Sequence, residues 1–171
     1  MNLRILIRLC TLLALTQIPA VFAAEIGSKV PDCELSSIND KQRYTLQQFH
    51  GKVVYVDFWA SWCPPCAKSF PFMNELHRDL NDSGLQMIAV NLDQAPEDAK
   101  TFLAKYPANF TVVADESEQC ARDFDVKAMP SAYLVDRNGV IRHIHLGFRE
   151  GAAEELRLVA GQLLAEKPEL K

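Results

Sequence analysis

Cys63 and Cys66 stand two residues apart in F-W-A-S-W-C-P-P-C (Phe58 to Cys66), with a proline at each position between them. Such a pair can bind a metal, staple the chain or exchange electrons. A structural zinc site needs four ligands, usually two C-x-x-C knuckles or one knuckle and two spaced histidines. The chain has one C-x-x-C, and His50, His77, His143 and His145 lack the H-x3-5-H spacing. We therefore expect no metal site, and we read His143 and His145 as the outward face of a surface strand. A disulfide closing so small a loop removes little chain entropy and is a poor staple. Redox exchange fits best, because it needs one sulfur to attack and a second to release the partner.

The flanking residues say which sulfur does which. V-V-Y-V-D-F-W (Val53 to Trp59) is β-branched and aromatic with no polar alternation, as in a strand buried on both faces. A helix starts behind it. Cys63 takes the N-cap, and Pro64 fills a first-turn position where proline is tolerated. A helix N-terminus favours an anion, so Cys63 is the expected nucleophilic thiolate. Cys66, one turn in, is the expected resolving thiol. Pro64 and Pro65 carry no N–H, so two donors near the Cys63 sulfur are missing. A less stabilised thiolate goes with a less oxidising disulfide, which favours a reductant.

The elements that must position this pair follow in order. Glu34 to Ile38 and Gln42 to Thr45 read as a small hairpin, and Thr45 could cap a short turn through Phe49. The cysteine helix runs to a stop at Gly84 and contains Pro71, where a kink is expected. Leu85 to Leu92 is a second buried strand and Pro96 to Tyr106 a second helix. Phe110 to Ala114 is extended, and Ser117 to Phe124 is a short helix. Ser131 to Asp136 and Val140 to Leu146 flank Asn138-Gly139, a strong hairpin signal. Gly151 to Glu166 closes the chain as an amphipathic helix. Alternation first and a hairpin last predicts an α/β fold: a central mixed sheet flanked by helices, with an N-terminal β-hairpin extension.

The 171-residue chain suits one folded domain after a leader. Arg4 and Arg8 precede an apolar run from Leu9 to Ala20, and Val21-Phe22-Ala23 fits a small-residue cleavage rule. The run is short for a membrane span and is interrupted by Gln17 and Pro19. We expect a signal peptide over 1–23, removed together with Cys10, and a single domain over 24–171. Losing both arginines takes the 18 basic residues to 16 against 22 acidic ones. An acidic surface without a basic run argues against nucleic acid or anionic membrane as partner.

With these residues placed, the sequence resembles the thioredoxin superfamily. The match lies in V-D-F-W-A-S-W-C-P-P-C (Val56 to Cys66), Met129-Pro130 and the Asn-Gly hairpin. The leader, V-P-D-C-E-L near the start and I-A-V-N-L-D (Ile88 to Asp93) resemble its TlpA/ResA-like periplasmic branch. The resemblance covers essentially all of the chain after the leader. It implies a thiol–disulfide oxidoreductase, most simply a disulfide reductase of exported proteins, with no cofactor beyond the Cys63–Cys66 pair. It implies a membrane thiol–disulfide electron donor and a monomer.

By the same resemblance Pro130 is a cis-proline facing the disulfide, and Met129 lines the groove where a partner's backbone docks. Trp62, Pro64 and Pro65 form its rim, while Trp59 is packing. Asp57 matches a buried acid whose pKa burial would raise, and which could take the Cys66 proton. Three departures stand out. Ser69 replaces a glutamate found in many of these proteins, and Ala89 a lysine that neighbours the acid in thioredoxins. D-V-K-A-M-P-S (Asp125 to Ser131) replaces the G-V-x-G-x-P-E-T loop of the cytochrome c maturation thioredoxins, which weakens a role in haem-protein assembly.

Cys33 and Cys120 remain if Cys63 pairs with Cys66. They are either two buried thiols or a structural disulfide closing most of the chain into one loop, worth about 4–5 kcal/mol in the chain-entropy model. The disulfide is favoured because free thiols are a hazard in an oxidising compartment. Two other functions use the same fold. A copper chaperone would show C-x3-C and a histidine near the proline loop, where Ala128-Met129 stands. A peroxidase would show one cysteine in P-x3-[TS]-x2-C, and Ser61-Trp62-Cys63 has the wrong spacing.

Overall fold

The computed structural model describes residues 24–40 and 42–167; the expected signal peptide, 1–23, lies outside the described residues. Seven strands form one mixed sheet in the order β2-β1-β5-β4-β3-β6-β7. The strands are β1 Glu34–Ser37, β2 Arg43–Thr45, β3 Val53–Trp59, β4 Leu85–Asn91, β5 Thr111–Ala114, β6 Ser131–Val135 and β7 Ile141–Leu146. The helices are α1 Pro64–Leu80, α2 Pro96–Lys105, α3 Gln119–Asp123 and α4 Ala152–Ala165. β3 runs parallel to β4 and antiparallel to β6, and all seven of its residues are buried. That burial on both faces is why its sequence lacks polar alternation.

The two faces carry separate cores. On one, Trp59, Phe70, Met73 and Leu76 pack with Ala99 and Phe102 of α2 and with Leu156, Ala160 and Leu163 of α4. On the other, Val54, Val56, Phe58, Ile88 and Val90 pack beneath α3 and the N-terminal segment, with Leu35, Leu46, Cys120 and Phe124. A fully buried aromatic or large aliphatic side chain contributes about 1.5–3 kcal/mol of transfer free energy. The aromatic pairs Trp59–Phe70 and Phe58–Phe124, with ring centroids 5.0 and 5.1 Å apart, add to it.

The expected elements differ from the observed ones mainly at their ends. Thr45 makes no side-chain cap to the 3-10 turn Leu46–Phe49. The helix expected to stop at Gly84 leaves α geometry at Leu80 and finishes in a 3-10 turn, Asn81–Ser83. Gly84 then takes φ +100°, the left-handed conformation that glycine adopts freely. α1 runs through Pro71 as one helix. The N-terminal hairpin does not stand apart: β1 pairs antiparallel with β5 and so extends the main sheet.

Candidate active site

The site is built where β3 ends and α1 begins. Cys63 caps α1 in extended conformation, with φ −98° and ψ 100°. Its Sγ accepts the Cys66 backbone N–H at 3.2 Å, and the two sulfurs are bonded, with Cα atoms 5.3 Å apart. Pro64 and Pro65 fill the turn between, so Cys66 supplies the first amide N–H after Cys63. Cys66 is wholly buried and Cys63 is 4% exposed. The asymmetry has the direction read from the sequence, but Cys63 shows only a sliver of surface. Trp62 beside it is 69% exposed, whereas Trp59 is fully buried.

A groove of about 740 Å³ opens over the pair. Trp62, Cys63, Pro64 and Pro65 form one wall. Glu118, Ala121, Arg122 and Asp125 to Met129, from α3 and the loop after it, form the other. The Met129–Pro130 peptide bond is cis, and Pro130 is buried behind Met129. The groove thus has an aromatic and proline rim on one side and a mixed charged loop on the other.

Asp57 lies in the middle of β3, 1% exposed, on the face that α1 covers. Its neighbours in register are Ala89 on β4 and Ala132 on β6. Neither carries charge, and among the described residues Oδ2 has no hydrogen-bond partner. Burial alone holds the Asp57 carboxyl well above the usual carboxylate range. The Tyr55 hydroxyl is raised too, first by burial and then by the Asp57 charge. Ser69 is also buried, and its hydroxyl donates to the Cys66 carbonyl at 3.0 Å rather than serving as an ionisable group.

One participant had no role in the sequence reading. Asp93, just past β4, receives the Ser61 backbone N–H at 3.0–3.1 Å, the Ser61 hydroxyl at 2.9 Å and the Asn91 amide at 2.8 Å. It holds the turn that presents Trp62 and Cys63. Asp93 stood in the sequence inside I-A-V-N-L-D, but nothing there ties it to a serine 32 positions away. Charge-assisted bonds of this kind are about twice as strong as neutral ones.

Cys33 and Cys120 are bonded, with Cα atoms 5.2 Å apart and both residues buried. The bond ties the segment before β1 to α3, the helix behind one groove wall. His143 and His145 correct the expectation of a surface strand face: their side chains are only 22% and 12% exposed. They lie opposite Leu134 and Ala132 on the sheet face that α4 covers, and both meet Glu155.

The Redoxin family model matches residues 25–159. The thiol-disulfide oxidoreductase ResA of Bacillus subtilis is 33% identical over 147 residues, covering 84% of this chain and 82% of that one. ResA of Geobacillus thermodenitrificans is 31% identical over 125 residues, covering 73% and 71%. Among solved structures, a Chlorobium tepidum chain described as thiol:disulfide interchange protein DsbE is 42% identical, with a TM-score of 0.79 over 84% of this chain and all of that one. A thioredoxin domain from Bacteroides vulgatus, 22% identical with a TM-score of 0.74, shares the fold. The chain belongs to the Redoxin family and is a ResA-like thiol–disulfide oxidoreductase on the thioredoxin fold.

Proposed function

We propose that this protein is an exported disulfide reductase, working in the periplasm after removal of residues 1–23. The observation that carries the direction is the donor count at Cys63. Among the described residues a single amide, from Cys66, reaches its sulfur, and Pro64 and Pro65 supply none. A thiolate stabilised so sparingly gives up its electrons readily.

In the reduced enzyme the Cys63 thiolate attacks one sulfur of a partner disulfide lying along the groove. A mixed disulfide forms, and the first partner thiolate leaves. Asp57 takes the proton from the Cys66 thiol, directly or through water, because burial raises its affinity for protons above that of an ordinary carboxylate. The Cys66 thiolate then attacks the Cys63 sulfur and expels the second partner thiolate. Two electrons have passed to the partner, and the Cys63–Cys66 disulfide is restored. A membrane thiol–disulfide donor returns the enzyme to the dithiol; no other cofactor is needed.

Met129, Pro130 and Trp62 hold the partner's backbone extended beside Cys63, and Cys33–Cys120 is a structural brace. The enzyme acts as a monomer on exported protein disulfides. Among the described residues no helix is long and apolar enough to cross a membrane. Incubating the Cys66→Ala protein with a disulfide-bonded exported protein tests the roles. A mixed disulfide trapped on Cys63 is expected; trapping through Cys66 in Cys63→Ala, with none in Cys66→Ala, would reverse the assignment.

A further inference from the structure

His143, His145 and Glu155 form a cluster away from the groove. His143 and His145 alternate along β7 and so project to one face. Glu155 comes from the first turn of α4, which lies over that face. His143 Nε2 is 3.1 Å from one carboxylate oxygen of Glu155, and His145 Nδ1 is 3.3 Å from the other. The ligand atoms of all three residues lie within 4.8 Å of one another.

The contacts are not those of a simple hydrogen-bonded ion pair. His143 Nε2 is buried and makes no hydrogen bond, although a carboxylate oxygen stands at 3.1 Å. The ring nitrogen and the oxygen are close but not aligned as donor and acceptor. Two ligands converging on a third body stand in that relation. Atoms held tetrahedrally at about 2.0–2.1 Å from one ion are roughly 3.3–3.4 Å apart; each histidine stands nearly that far from its own oxygen of Glu155, and a small turn of the carboxylate or a ring brings the set, now within 4.8 Å, around one ion. Two imidazoles and a carboxylate suit zinc and its neighbours copper and nickel, whereas calcium and magnesium prefer oxygen alone.

We propose that His143, His145 and Glu155 form a binding site for a zinc-type divalent cation, which clamps α4 to β7. The side chains are 22%, 12% and 47% exposed, so the site opens to solvent on the glutamate side. A fourth ligand enters there: water, or a side chain of a docked partner. The sequence hid this set because its third member lies on a different element.

The test is zinc titration by calorimetry into untagged protein 24–171, which lacks Cys10, with both disulfides formed, so that no thiol competes. One saturable equivalent is expected at micromolar zinc, with affinity weakened at least tenfold in His145→Asn and in Glu155→Gln. Both variants should keep full disulfide reductase activity, which shows that they fold. No saturable uptake by the native chain at submillimolar zinc would overturn the proposal, as would uptake unchanged in the two variants. If a variant fails to fold, the native chain decides alone with Cu²⁺ in place of zinc. Electron paramagnetic resonance showing hyperfine coupling to two imidazole nitrogens supports the site; coupling to fewer overturns it.

Discussion

The two disulfides are buried alike, one cysteine of each 4% exposed and the other 0%, but they differ in span and in what lies beside them. Cys63–Cys66 spans three positions at the open end of a helix, beside a groove, and closes a loop too small to stabilise the fold much. Cys33–Cys120 spans 87 positions and joins the segment before β1 to α3 itself, within the core on that face of the sheet. Chemistry needs a bond that a partner can reach and that the fold does not depend on. Stability needs the reverse. Placement on the elements therefore divides the two jobs, and nothing in the cysteines themselves does.

That division can be broken at several points. Cys63→Ser should abolish disulfide reduction, by a factor of about a thousand or more, with little change in melting temperature. Residual turnover by that variant would mean that Cys66 can attack by itself. The double variant Cys33→Ala/Cys120→Ala should do the opposite. It should lose about 2–5 kcal/mol of stability in denaturant unfolding and keep most of its activity while folded. If activity fell before stability did, Cys33–Cys120 would belong to the redox cycle.

Asp57 sharpens the comparison, since it gives up stability at the redox end. Its folded-state pKa is raised by burial, so the folded chain holds this proton more tightly than the unfolded one. The cost is absent below the unfolded value and grows as pH rises towards the folded one. Asp57→Asn should therefore stabilise the protein by about 1–3 kcal/mol at neutral pH and by much less near pH 4, measured by unfolding at both. It should also slow release of a mixed disulfide about tenfold or more. Equal stabilisation at both pH values would mean that Asp57 does not carry this charge. The smallest effect belongs to Asp93→Ala. Loss of its bonds to Ser61 should cost about 1–2 kcal/mol and broaden the Trp62 fluorescence response to partner binding.

How far these parts were legible in the sequence depended on the range of the physics behind them. Val53 to Trp59 was readable residue by residue, because burial on both faces leaves an apolar run broken only by Asp57. The Asn138-Gly139 hairpin and the cap at Cys63 were readable for the same local reason. The place of β5 was not. It pairs with β4 on one side and β1 on the other, and that register is decided by pieces far apart in the chain. The Ser61–Asp93 lock and the His143–His145–Glu155 cluster share this property. Each joins short polar signals from different elements, and only the packed sheet brings them together. The two histidines misled most directly. Their i, i+2 spacing identified one strand face correctly, but it held no information that α4 would cover it.

If a single amide donor among the described residues leaves the Cys63 thiolate sparingly stabilised, the Cys63–Cys66 disulfide is a weak oxidant. Its equilibrium reduction potential, measured on protein 24–171 in defined thiol buffers, tests this most directly. A value near −270 mV, roughly that of thioredoxin, is expected, with Cys33–Cys120 still closed at the midpoint. A value near −120 mV, roughly that of a strong disulfide donor, would contradict it and make the protein an oxidant.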